Sequence, residues 1–264
     1  MNNATNTTVM SQLLFVLLLA IASIIGSKLY PFFYALAFFL PIALGTFLAK
    51  SDGAKLSHPL KIKKRDAIAL LPTVFPILFA IIMVSLLTSF LLSLIGKTSE
   101  VTLYDTLWEN LVFHALFPAI LEELIFRYIP LITIGRYSKK WAVIISALTF
   151  SMAHMSIFQI PYALVAGILF MLIDIKAESV IPSTTLHLLN NAVSVLSLFY
   201  KIDIPIIISV AALAAASLVI LFKNKSSYSD FTKGVFGEKC NEKITYSPLL
   251  IIIPCLIISV INLI

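Results

Sequence analysis

The chain has 264 residues, of which 60% are hydrophobic and only 12% charged, against about 25% charged in soluble domains. A water-soluble fold of this length cannot hide that much apolar surface, so soluble classes are excluded. The formal net charge of +6 is not the mark of a nucleic-acid partner, because the Lys and Arg residues fall between apolar stretches, where membrane topology puts them.

Residues 1–10 are polar and carry no Lys or Arg, so the apolar run after them lacks the basic start of a secretory signal peptide and reads as a retained first helix. On a ruler of roughly 20 residues per span, candidate spans lie near 11–27, 29–49, 66–96, 109–134, 141–158, 161–175, 179–199, 203–222 and 247–264. The third is long enough to tilt, or to break at Pro72 or Pro76. The expectation is an all-α polytopic transmembrane helical bundle of about eight to nine spans, a single domain over 1–264 with a motif-bearing core at about 105–200.

Basic residues cluster at Lys50, Lys55, Lys61, Lys63, Lys64 and Arg65, again at Arg136, Lys139 and Lys140, and in a Lys-rich stretch over 223–243. Alternating the spans puts all three clusters on one side, expected to be cytoplasmic. Cys240 and Cys255 have no metal-knuckle spacing and predict neither a disulfide framework nor a thiolate metal site. Asp174 and Lys176 close the sixth span and read as markers of the cytoplasmic interface.

A charge at the centre of a spanning helix costs at least about 2.5–3.5 kcal/mol, so each one suggests function. Glu122, Glu123 and Arg127 sit in LEELIFRY; His154 follows Phe150 by four residues in FSMAH; His187 precedes Asn191 by four in HLLNN. Glu123 and Arg127 have the spacing of an intrahelical ion pair, while Glu122 points about 100° away and is free for chemistry. His187 and Asn191 share one helix face. A rise of about 1.5 Å per residue puts Glu122, His154, His187 and Asn191 at a common depth, near the midplane of the bilayer. His114 lies nearer the outer end and reads as interfacial or packing.

A carboxylate beside a histidine can deprotonate a water, and a second histidine with an amide can stabilise an oxyanion on a peptide carbonyl. Glu122, His154 and His187 are also donors to a zinc ion, the set a metalloprotease would use. The residues alone leave both routes open. There is no H-E-x-x-H helix motif, no Gly-x-Ser-Gly turn and no Gly-Asp pair, so the common zinc, serine and aspartyl arrangements have no visible centre.

The order E-E-x-x-x-R, F-x-x-x-H, H-x-x-x-N, carried by Glu122, Glu123 and Arg127, then Phe150 and His154, then His187 and Asn191, resembles the CAAX-protease and bacteriocin-processing family, also called the Abi family. The resemblance implies an intramembrane endopeptidase in which Glu122 and His154 activate water and His187 and Asn191 form the oxyanion hole. Glu123, Arg127 and Phe150 would then be supporting residues. Its type II prenyl-protein endopeptidases are glutamate-dependent, so the resemblance implies no required cofactor, with zinc as the alternative.

The implied substrate is a membrane-associated peptide or protein within the lipid bilayer. Family members trim prenylated CAAX tails, mature peptides, confer bacteriocin immunity or control surface proteins. The Ile, Lys and Asn usage resembles an AT-rich prokaryote, which turns the expectation away from prenylated substrates and towards a prokaryotic plasma membrane. The competing readings are a non-proteolytic scaffold or bacteriocin self-immunity protein acting by partner binding, and, more remotely, a proton-relay transporter.

Overall fold

The structure, a computed structural model, describes residues 1–25, 30–55, 60–98, 103–238 and 245–262. Within them every regular element is a helix, as a lipid solvent favours, since a helix satisfies its backbone hydrogen bonds internally. We number ten helices: α1 Asn2–Ile25, α2 Tyr30–Ser51, α3 Lys64–Ser93, α4 over residues 107–132, α5 Lys139–Ala153, α6 Ile160–Ala177, α7 Ile181–Tyr200, α8 Asp203–Lys223, α9 Lys225–Gly237 and α10 Leu249–Ile261.

Five of them, α1, α2, α3, α6 and α8, are long and apolar enough to cross a membrane. The motif helices α4, α5 and α7 are not among these five, and they pack between two apolar groups. On one side Phe15 and Val16 of α1, Phe38 of α2 and Ile251 and Cys255 of α10 close over Phe126 and Phe150. On the other, Ile77 and Ile81 of α3, Phe170 and Ile173 of α6 and Val210 of α8 surround Leu186 of α7. Cys255 is a buried free thiol; Cys240 lies outside the described residues.

At 30 residues, α3 is about 45 Å long, more than a bilayer core of about 30 Å needs without tilt. It does not break at Pro72 or Pro76. Instead it tightens to a 3₁₀ turn at Leu71–Thr73 around Pro72. The turn falls where Pro72 has no N–H to donate to the preceding turn of helix.

Close packing depends on small residues, as in other membrane bundles. A side chain on Gly167 of α6 would bring its Cβ to 2.8 Å from Ala147 Cα on α5. One on Gly45 of α2 would collide with the Ile129 side chain and lie 2.9 Å from Ser11 Oγ.

Three regions differ from the sequence expectation. The polar start is not outside the bundle: α1 begins at Asn2, and Thr5, Thr8, Ser11 and Gln12 are fully buried. Thr8 bonds the hydroxyl of Thr133 at 2.7 Å and Ser11 donates to the Pro41 carbonyl at 2.9 Å, so these groups hold helices together. The stretch over 223–243, read as a loop, contains α9. Asp174, read as a marker of the interface at the end of its span, is fully buried within the bundle.

The three basic segments meet at one end of the bundle. Arg136 Nη1 donates to the Asp52 carbonyl (3.1 Å), Lys139 N–H to Glu238 Oε2 (2.8 Å), and the Tyr228 hydroxyl to the Ala69 carbonyl (2.9 Å).

Candidate active site

Helix α4 is not a uniform α-helix. It opens with a capping box, in which the Thr106 hydroxyl accepts from Glu109 N–H and the Glu109 carboxylate accepts from Thr106 N–H. It then runs through π-helical segments at Leu111–Leu116 and Leu124–Tyr128. Such segments insert an extra residue per turn and are frequent at functional sites. The α-helical stretch between them, Phe117–Glu123, carries both glutamates.

The two carboxylates part as their spacing predicts. Glu123 is completely buried, and its Oε1 lies 3.1 Å from Arg127 Nη1. Glu122 keeps 19% of its side chain exposed and lines a cavity of about 570 Å³ together with Phe150, His154, His187 and Asn191. Residues from α4, α7 and the end of α5 are thus brought to one hollow.

Each histidine is anchored through Nδ1, which presents its other nitrogen. His154 caps the end of α5, where the last carbonyls of a helix have no intrahelical partner. Its Nδ1 lies 2.9 Å from the Phe150 carbonyl oxygen; donation there fixes the Nδ1–H tautomer and leaves Nε2 as the acceptor. On α7, His187 Nδ1 donates to Glu123 Oε1 at 2.8 Å, and its Nε2 is 3.9 Å from Glu122 Oε2. The Glu123 carboxylate therefore serves Arg127 and His187 at once, a link that helical spacing alone does not reveal. Asn191 Oδ1 accepts from Asn190 Nδ2 at 3.2 Å, which leaves the Asn191 amide N–H groups as its donors.

Phe150 occupies the centre of this arrangement. The Arg127 guanidinium lies 3.8 Å from its ring centroid, a cation–π contact that offsets the loss of water around a buried charge. The rings of His154 and His187 meet it edge-on, at 4.8 Å and 5.9 Å between centroids.

Two further residues reach this site in the structure. His114 lines the same cavity, and its Nε2 is buried without a hydrogen-bond partner among the described residues. In an ideal α-helix His114 and Glu122 would lie about 80° apart, but the π-helical turn between them rephases the face. Asp174, at the end of α6, accepts from Ser183 N–H at 3.0 Å through Oδ1, capping one of the orphan donors at the start of α7. Ser183 is one turn before His187, so this hydrogen bond ties the end of α6 to the turn of α7 next to that histidine. Nothing in the local sequence announces this role.

As donors to a metal, the placed side chains do not fit. Among the described residues no three His, Cys, Asp or Glu side chains are spaced to hold one ion, and this includes the set Glu122, His154 and His187.

The fold and site define a polytopic helical membrane protein whose interior holds a carboxylate, two imidazoles and an amide around one cavity. Residues 104–193 match the family described as type II CAAX prenyl endopeptidase Rce1-like. That stretch contains every motif residue from Glu122 to Asn191, and it bears out the resemblance read from the three motifs. The match supports a membrane-embedded CAAX protease in general. No curated protein and no solved structure matched the chain.

Proposed function

We propose that the protein is an intramembrane endopeptidase that hydrolyses a peptide bond in a membrane-associated peptide or protein, using its own side chains and no required metal. The observation that carries this reading is the lining of one cavity by Glu122, His154, His187 and Asn191. Glu122 takes a proton from a water that also donates to His154 Nε2, and the water oxygen attacks the scissile carbonyl carbon. Because Nδ1 of His187 donates to Glu123, a second proton on Nε2 lets this ring donate to the oxyanion, with the Asn191 amide as the other donor. Glu122 then delivers its proton to the amine nitrogen as the C–N bond breaks.

The Glu123 and Arg127 pair holds His187 in position rather than touching substrate. The basic end of the bundle faces the cytoplasm in this reading, following the positive-inside rule. The prenylated CAAX tail named by the matched family is one substrate of the required chemistry, and an unmodified membrane peptide is another.

The test is cleavage of candidate membrane peptides by the protein reconstituted in lipid. Glu122→Gln and His154→Ala should each lower the turnover number by about 10²–10⁴, the share general base catalysis contributes, with unchanged thermal unfolding. Exhaustive chelation should leave turnover intact. Full activity in either variant sinks the assignment, and loss on chelation with recovery on zinc sinks the metal-free route.

A further inference from the structure

A second hollow of about 520 Å³ lies between α3, α6, α8 and α9, separate from the catalytic cavity and on the basic side of it. Its walls are apolar, formed by Ile77 and Ala80 of α3 and Leu169 and Leu172 of α6, while Lys176 and Lys225 stand among its lining at the end of α6 and the start of α9. The volume falls within the range of cavities that hold small ligands.

Helix α9 forms one wall of this hollow. Its Tyr228 hydroxyl is tied to the Ala69 carbonyl of α3 at 2.9 Å, and Lys176 Nζ lies 4.7 Å from the Tyr228 ring and 4.8 Å from that of Phe231. Neither Lys176 nor Lys225 has a carboxylate partner among the described residues. Two cations without an acid therefore flank an apolar slot, at the end of the bundle where the other basic segments gather.

An occupant must satisfy both features. A free anion would leave the apolar walls bare, and a neutral chain would leave the two ammonium groups with aromatic faces but no anion. A bilayer supplies one molecule with both parts at the matching depth, since anionic headgroups attract lysines at the membrane surface. We propose that this hollow binds an anionic phospholipid, one acyl chain lying against Ala80 and Leu169 and the phosphate held between Lys176 and Lys225.

The proposal is independent of peptidase activity and is read by lipid binding. The full chain in detergent is titrated with phosphatidylglycerol or with phosphatidylcholine of the same acyl chains, and bound lipid is counted by native mass spectrometry. Half-occupancy by one phosphatidylglycerol should need about 25-fold less lipid than phosphatidylcholine, a factor of about five per lysine. The Lys176→Gln, Lys225→Gln double variant should bind both lipids alike, and Ala80→Trp, which fills the slot, should retain neither. Glycerol phosphate, which has the anion without the chain, should not compete at the concentration of the lipid. Equal occupancy by the two lipids in the parent protein overturns the proposal. So does a preference that survives in the double variant, undiminished binding to Ala80→Trp, or displacement by glycerol phosphate.

Discussion

The motif core and the outer helices of this protein invert each other's chemistry. In α4 to α7 the fully buried side chains include Arg127, Glu123 and Asp174, while in α3 and α8 large apolar groups such as Phe90, Leu213 and Val219 face outward. In water that distribution would be ruinous, because an exposed apolar face drives association and a buried charge loses its hydration. In a bilayer the outer face is already in its preferred solvent. Charges then survive only where protein partners replace water, as the Glu123 carboxylate does for both Arg127 and His187.

The strongest way to break this comparison is to remove one partner from the core. Arg127→Met removes the guanidinium from Glu123 and leaves its buried carboxylate with the His187 N–H alone, and should lower stability by about 3–5 kcal/mol, read by denaturant unfolding in bicelles. The Glu123→Gln, Arg127→Met double variant should recover part of that loss, since no lone charge remains. If the single variant unfolds like the parent, Arg127 is not compensating a buried charge.

Next in size is a charge placed on the outer face. Leu213 sits at the middle of α8 and is 46% exposed. Leu213→Arg should cost about 2.5–3.5 kcal/mol of membrane insertion, visible as a smaller membrane-integrated fraction, whereas the same change on a water-exposed surface would be nearly neutral. An undiminished integrated fraction would mean that α8 does not meet lipid.

A smaller effect is expected at Asp174. Replacing it by Ala orphans the Ser183 N–H, at a cost of about 1–3 kcal/mol, while Asp174→Asn keeps an acceptor and should be milder. Because Asp174 positions α7, turnover should fall further in the Ala variant than in the Asn variant. Equal turnover in the two would mean that the hydrogen bond does not set the position of His187. Smallest of all is Leu213→Ile, which keeps an apolar side chain against lipid and should change unfolding by less than about 0.5 kcal/mol.

The same inversion explains what could be read from the sequence. A charged residue in an apolar run is conspicuous, so Glu122, Glu123, Arg127, His154 and His187 were visible, and helical spacing alone separated the two glutamates. Apolar length revealed the helical bundle. The buried start of α1 stayed hidden because Thr5, Thr8 and Ser11 look polar on any hydropathy scale, although their hydroxyls bond helix neighbours and the buried Gln12 does not face water. His114 was set aside because the helical rise puts it nearer the outer end of its span than Glu122, although the cavity is deep enough to include both. For α9 a signal did exist: Tyr228, Phe231 and Val235 recur at the spacing of one helical face, obscured by the serines and lysines between them.

Phe150, flanked by Arg127 on its face and by two imidazoles at its edges, gives the three motifs a common reference plane. Rotating that ring would change the approach of all three groups together. The site therefore has fewer independent adjustments than it has residues. A leucine at this position would supply comparable bulk but no plane, and the two imidazoles and the guanidinium would no longer share one ring as their common contact.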